Sequence, residues 1–407
     1  MADRRRSQAR RKHETGPIRV VIVGGGVAAL EAMLALRRLA GDRVSVLLVA
    51  PEREFIYRPL VVGEPFGLGR AHRFDLAALA AGAGAELVNS RVVAVDSSEH
   101  CAFTEDGTRI DYDKLIAAPG ARMRLALPGA LTFWGVADAD EVTRLLVELE
   151  SGEVDRVVFA VHAAAGWPLP LYELALMTSA HLVNTDVEGR RLTVVTYEDA
   201  PLGIFGPTAS SHVRELLGRR DIELIAGRHP AAVAEGALEI VPGGSIPADR
   251  VITLPRLEGP RLSGLPADEH GFIPVDPLGR VRTATDVYAA GDATTFAVKQ
   301  GGLAAQQAYS VATAVASAAG APLDPEPFRP VLRGVLMTGG APSFMRTELR
   351  GGLGDTSTVS LDALWWPPGK VAGRFLAPHL AEVAGQALAP PTPVNGATLP
   401  IEIELAA

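Results

Sequence analysis

The chain predicts an α/β protein with two doubly wound parallel-sheet domains, the second inserted in the first, and a C-terminal α+β cap. Three observations carry this expectation. A β-branched strand runs into glycines at Arg19–Glu31, a short apolar strand ends in Gly-Asp at Thr285–Asp292, and a second strand–turn–helix–strand unit begins at Arg156–Val161. At 407 residues the chain is long for one hydrophobic core. The expected division is 17–125 with 250–325 for the first domain, 126–249 for the inserted one and 326–407 for the cap.

Residues 1–16 carry six Arg or Lys and almost no apolar residue, which predicts a flexible basic tail. The arginines precede a polar stretch, so a twin-arginine export signal is not expected, and weak attraction to anionic lipid leaves at most a peripheral membrane contact. The first structured element is the strand Val20–Val23. It is followed by Gly24, Gly26 and Ala29, then by Leu30, Leu34, Ala35 and Leu39 at helical spacing and by a second strand over Val44–Val49. Gly24 permits a tight turn, Gly26 lets the backbone approach a phosphate, and Ala29 lets the helix lie close on the sheet. A helix N-terminus there supplies N–H donors and a positive dipole end, so the segment reads as a dinucleotide pyrophosphate site, against an ordinary glycine-rich βα turn.

Residues 86–96 and 101–116 read as strands, with Glu105–Thr108 as a hairpin turn. Composition excludes several function classes. Apolar residues make up 48%, the net charge is −8, and the 42 Gly and 30 Pro describe a loop-rich globular chain with no basic excess for nucleic acid. The single cysteine, Cys101, excludes an intramolecular disulfide, a Cys-x-x-Cys pair and a cysteine-rich metal site, and no metal is expected; it reads as a small buried residue. The apolar runs Val154–Val161 and Leu171–Met177 fall well short of the ~20 residues of a membrane span, and the cytoplasm is the default location.

The Gly-Asp segment resembles the flavin-binding motif of the flavoproteins that carry two Rossmann-like dinucleotide-binding domains. That resemblance implies that Asp292, with Gly291 before it, accepts hydrogen bonds from the ribityl hydroxyls of FAD; the alternative is a helix N-cap ahead of a run from about Leu303. In those proteins a strand followed by Ala-Thr-Gly leads past the FAD. Here Pro119 replaces the threonine in Ala118-Pro-Gly120, so Gly120 is the residue carried over. The inserted unit, with its next strand at Arg191–Tyr197, is by the same resemblance the NAD(P)H domain. Its turn, His162–Glu173, holds only Gly166, and Trp167, Pro168 and Pro170 crowd it; a working nicotinamide site and a retained fold with a lost or altered site both stay open. Glu198 or Asp199 fits a ribose or a solvated turn equally well.

From Gly291 to Ala308 the sequence is similar to the sulfide:quinone oxidoreductases, the flavoprotein subunit of flavocytochrome c sulfide dehydrogenase and the type II NADH:quinone dehydrogenases, all of the pyridine nucleotide-disulfide oxidoreductase superfamily. The resemblance implies that Lys299, Gln300, Gly301 and Gly302 border the flavin ring, with Lys299 and Gln300 as the catalytic candidates, and that Gln306 or Gln307 faces the acceptor. Phe55–Leu60 and Trp365–Lys370 add to it, and by the same resemblance Arg58 and Val93 are expected to contact FAD. Two departures stand out. The sulfide-oxidising members use paired cysteines, which one Cys101 cannot supply, so sulfide oxidation by that route is excluded; and the acid that holds the adenosine ribose falls at Ala50, leaving Glu52 or nothing in its place. Quinone-reducing relatives attach to membranes by C-terminal amphipathic helices, whereas Val371–Leu388, followed by Pro390–Pro393 and a strand-like Leu399–Leu405, reads rather as a core or homodimer-contact helix. The expectation is an FAD-dependent oxidoreductase passing electrons from a small-molecule donor, NAD(P)H or another, to a quinone-like or other small acceptor. Its alternatives are a cysteine-independent relative of the sulfide oxidoreductases with another donor, and a non-catalytic redox-responsive flavoprotein.

Overall fold

The computed structural model describes residues 16–350, 353–386 and 402–403; the basic tail up to residue 15 and most of the strand expected at 399–405 lie outside them. The first sheet is wholly parallel, in the order Val287–Ala289, Lys114–Ala117, Ile18–Val23, Val44–Val49, Glu86–Val88. The chain leaves Ile18–Val23 toward one edge and later returns to build the other side. The order therefore reverses between Ile18–Val23 and Lys114–Ala117, and a crevice opens beyond the carboxyl ends of those two strands. The four consecutive residues Val20, Val21, Ile22 and Val23 are all buried, as expected for a parallel strand covered on both faces.

On one face the helix Val27–Ala40 packs along the helix Gly301–Ala318. Their meeting surfaces are largely alanine: Ala28, Ala29, Ala32 and Ala35 share one core with Ala304, Ala308 and Ala312. On the other face lies the antiparallel hairpin sheet Val92–Asp96, Cys101–Thr104, Arg109–Asp111. Its turn is where the sequence places it, with Asp106 accepting from the Thr108 N–H at 3.1 Å.

The inserted unit has a second parallel sheet in the order Leu131–Thr132, Arg250–Thr253, Arg156–Val161, Arg191–Thr196, Glu223–Ile225. The chain enters through Arg122–Arg124 and leaves through Arg256–Glu258, which pair antiparallel as a two-stranded ribbon. That pairing is the insertion seen as geometry. The third layer is the antiparallel sheet Val331–Leu336, Ser343–Arg350, Leu353–Ser360. Leu332, Leu336 and Met345 of this sheet enter the same core as Phe159, Tyr172 and Phe205 of the inserted unit.

The helix expected at 371–388 is shorter, Leu376–Val383. Buried Glu31, on the helix after the glycine turn, accepts from the Phe375 and Leu376 N–H groups at 3.0 and 2.7 Å and so caps it, while Leu376, Leu380 and Ala381 are buried. This is the core reading of that segment. Among the described residues no helix is long and apolar enough to cross a membrane. The strand-like end is described only at Glu402–Ile403, which pairs parallel with Trp365–Trp366.

Candidate functional site

Gly24 ends the first strand with φ +113°, and its N–H donates to Val49 O at 2.8 Å. A Cβ on it would lie 2.3 Å from the Ala118 carbonyl oxygen, so only glycine lets the two central strand ends sit this close. Gly26 is extended, with φ −89°, caps the Val27–Ala40 helix, and has nothing within 4 Å of where its Cβ would be. Its open side is the helix N-terminus, where orphan N–H groups can donate to an anion. Gly120, at φ +76°, is likewise open.

Gly291 closes the other half. Its Cβ position lies 2.9 Å from Ala28 Cβ and 3.3 Å from Ala304 Cβ, which places it between the first turns of both helices. Gly301 meets Val371 at 2.8 Å and Val27 at 3.7 Å in the same sense. The glycine turn and the Gly-Asp turn, far apart in sequence, thus converge on one crevice with two helix N-termini aimed at it. Asp292 is partly exposed there and makes no hydrogen bond or ion pair among the described residues. Burial pushes its carboxyl up, against the opposing pull of Lys299 and Arg58. The N-cap alternative is corrected: Asp292 sits in a 3₁₀ turn, Gly291–Ala293, and the Gly301–Ala318 helix is capped by Gln300, whose Oε1 accepts from Leu303 N–H at 2.8 Å.

Lys299 is buried, its ammonium on Thr294 O and 3.8 Å from the centre of the Phe272 ring. Burial lowers it from 10.5 to about 8, with Asp292 and Asp268 opposing. Gln300 also donates to Arg333 O at 3.1 Å, and Gly302 lies beside its amide. Both glutamines expected to face an acceptor also hold the backbone. Gln306 exchanges hydrogen bonds with the Val331 backbone at 2.8 and 2.9 Å, fixing the C-terminal sheet, and Gln307 accepts from Gly291 N–H at 2.7 Å, fixing the Gly-Asp turn.

Ala50 is buried, 3.1 Å from the Cβ position of Gly25, and Glu52 is exposed just past the strand end, its backbone carbonyl accepting from Asn89 at 3.2 Å. Val93 lies on the hairpin sheet, 42% exposed, with its carbonyl accepting from Ser263 N–H. Cys101 is buried in its strand and burial raises its thiol, the inert pattern for a cysteine. Glu198 accepts from Tyr172 OH at 2.7 Å and Thr196 Oγ1 at 3.0 Å, so it belongs to the fold rather than to a solvated turn.

Beside the crevice lies a cavity of about 500 Å³, lined largely by apolar groups such as Leu60, Phe74, Met337, Pro367 and Leu380, with Tyr57 and Lys370 among its polar walls. Tyr57 OH accepts from Val371 N–H at 2.8 Å, and Val371 abuts Gly301, so this bond partitions the cavity from the helix N-terminus. Burial raises Tyr57 to about 12. Behind the cavity Lys370 Nζ lies 2.5 and 2.7 Å from the two carboxylate oxygens of fully buried Glu173, which also accepts from Met337 N–H at 2.8 Å. Burial raises Glu173 and lowers Lys370, and their attraction opposes both shifts. The one sequence signal for this pair was a lone acid in the apolar run of the Leu169–Asn184 helix.

The family model described as pyridine nucleotide-disulphide oxidoreductase matches residues 18–318, a span that holds both turns of the crevice. The chain belongs to that family. FAD is its cofactor, and the residues present fit the group: an open glycine cradle at a helix N-terminus, and in the same crevice a carboxylate with no hydrogen-bond partner among the described residues. A sulfide-quinone reductase of Aquifex aeolicus is 25% identical over 264 residues, covering 61% of this chain and 61% of its own length. An NADH dehydrogenase-like protein of Mycobacterium tuberculosis is 28% identical over 295 residues, covering 67% of this chain and 72% of its own. The chain thus spans less than two thirds of the first of these relatives. The solved sulfide:quinone oxidoreductase of Aquifex aeolicus shares the fold, with a TM-score of 0.77 at 21% identity over 84% of this chain and 86% of that one.

Proposed function

We propose that this FAD-dependent oxidoreductase moves an electron pair from a small-molecule donor to a flat, apolar, quinone-like acceptor in the Tyr57–Lys370 cavity. The observation that carries the reading is the placement of a largely apolar cavity, backed by a buried acid–base pair, directly across the Tyr57–Val371 bond from the cofactor crevice. When bound, FAD accepts the electron pair and gives it up again. In this reading the turn at Gly24–Gly26 and the helix that follows bind its phosphates, Asp292 accepts from its ribityl hydroxyls, and Arg58 and Lys299 hold positive charge beside Asp292. Glu52 is the remaining candidate for the adenosine ribose. Lys370, held by Glu173, presents an N–H donor and a proton to an acceptor oxygen at the cavity wall.

Chemically reduced protein mixed anaerobically with a short-chain quinone is expected to reoxidise faster than the same protein mixed with oxygen; equal or slower reoxidation by quinone would refute the acceptor. Ala384→Trp fills the cavity mouth from an exposed position, and the KM for that quinone is expected to rise about tenfold with flavin content unchanged. The Lys299 charge gives a pH dependence. With its pKa lowered to about 8, the ammonium is present below that pH and lost above it, so the rate of flavin reduction is expected to fall as pH rises through about 8. A flat profile from pH 7 to 9 would remove Lys299 from the chemistry.

A further inference from the structure

We infer that the inserted domain does not take a pyridine dinucleotide, and that its strand–helix turn serves instead as a wall of the cofactor crevice, so that the donor is a reductant without an adenine–pyrophosphate handle. This rests on the proposed function and bounds its donor. Three devices let a Rossmann-type unit hold such a nucleotide: free N–H groups at a glycine turn, an open helix N-terminus, and an acid at the end of the second strand. Here the protein occupies or removes part of each.

At the turn, the Ala164 N–H donates to His162 Nδ1 at 3.2 Å and the Ala165 N–H to His162 O at 3.1 Å. His162 is buried and held by Leu254 O at 2.8 Å, so this arrangement is braced from the sheet. At the helix start, Pro168 and Pro170 have no N–H, and the Leu171 N–H already donates to Pro168 O at 3.0 Å. At the second strand end, Glu198 is bound by the Tyr172 and Thr196 hydroxyls, which leaves only Asp199, exposed on the next turn.

The turn is also fixed in place from the other layers. Gly166 O accepts from Lys299 N–H at 3.2 Å, and Lys299 Cγ lies 3.0 Å from the Cβ position of Gly166, so the turn is closed onto the lysine of the cofactor crevice. The Trp167 ring centre is 5.8 Å from that of fully buried Phe205, and Phe205 reaches to 2.7 Å from the Cβ position of Gly334 in the C-terminal sheet. Swinging the turn aside to admit a pyrophosphate would break packing in the core shared by the inserted unit and the cap.

The test uses the full-length, FAD-loaded protein without oxygen. On mixing with excess NADH or NADPH the visible flavin absorbance is expected to stay unchanged over minutes, while dithionite bleaches it at once. Titration calorimetry with adenosine diphosphate ribose, a non-reducing fragment of the same nucleotide, is expected to show no saturable heat. Bleaching by either nucleotide within seconds, or saturable binding of the fragment, would overturn the inference. Reoxidation of the dithionite-reduced sample by quinone is scored separately. If quinone fails there, the acceptor reading falls while the closed nucleotide site stands.

Discussion

Gly24→Val should yield a protein that carries no FAD. The valine Cβ would sit 2.3 Å from the Ala118 carbonyl oxygen and 3.0 Å from Pro119 Cα, both backbone atoms, at a φ of +113° that a β-branched residue does not adopt. The strand ends must part, and they are the floor of the proposed phosphate site. Gly26→Ala separates this steric effect from loss of the phosphate approach. Gly26 has φ −89° and open space around it, so the alanine variant is expected to fold normally and to lose FAD affinity only through the methyl group at the helix N-terminus. Flavin absorbance per mole of purified protein and the unfolding midpoint of each variant measure the two. A Gly24→Val protein with full flavin content would overturn the phosphate assignment.

Lys370→Met should destabilise the fold by about 3–5 kcal/mol, the usual cost of leaving one member of a buried ion pair uncompensated. Glu173 has no solvent exposure, and its remaining hydrogen bond, from Met337 N–H at 2.8 Å, cannot replace an ammonium held against both oxygens. The double variant Glu173→Gln with Lys370→Met is expected to recover most of that loss, because the amide oxygen can still accept from Met337 and no charge remains buried. Chemical denaturation of the single and double variants decides it. Equal stability of Lys370→Met and the parent would mean that Glu173 is neutral in the fold.

What the sequence disclosed was set by how local each constraint is. Gly24, Gly26 and Gly291 are legible because a tight approach admits only glycine, and the alternation of buried strands with alanine-faced helices shows in the pattern of a few neighbouring residues. The insertion of the second unit shows in the order of the elements, but the ribbon that carries it, Arg122–Arg124 paired with Arg256–Glu258, has no signal of its own in the sequence. The structural use of Gln306 and Gln307 is not legible in the sequence, because a polar side chain near a site has two uses and only the position of Val331 or Gly291 reveals the second. The place of Val93 likewise depends on which sheet its strand joins. Glu173 and Lys370, 197 residues apart, left no paired signal, and the cavity they back is formed by segments from three layers.

The alanine faces of the Val27–Ala40 and Gly301–Ala318 helices have a mechanical consequence. Side chains this short let the backbones act as one rigid spar, with the proposed phosphate seat at the start of one member and the Gly-Asp turn packed against the start of both. Under the proposed binding mode the span between the two ends of the site is therefore set by a single spacing, and a bulkier residue along the seam is expected to disturb both ends together.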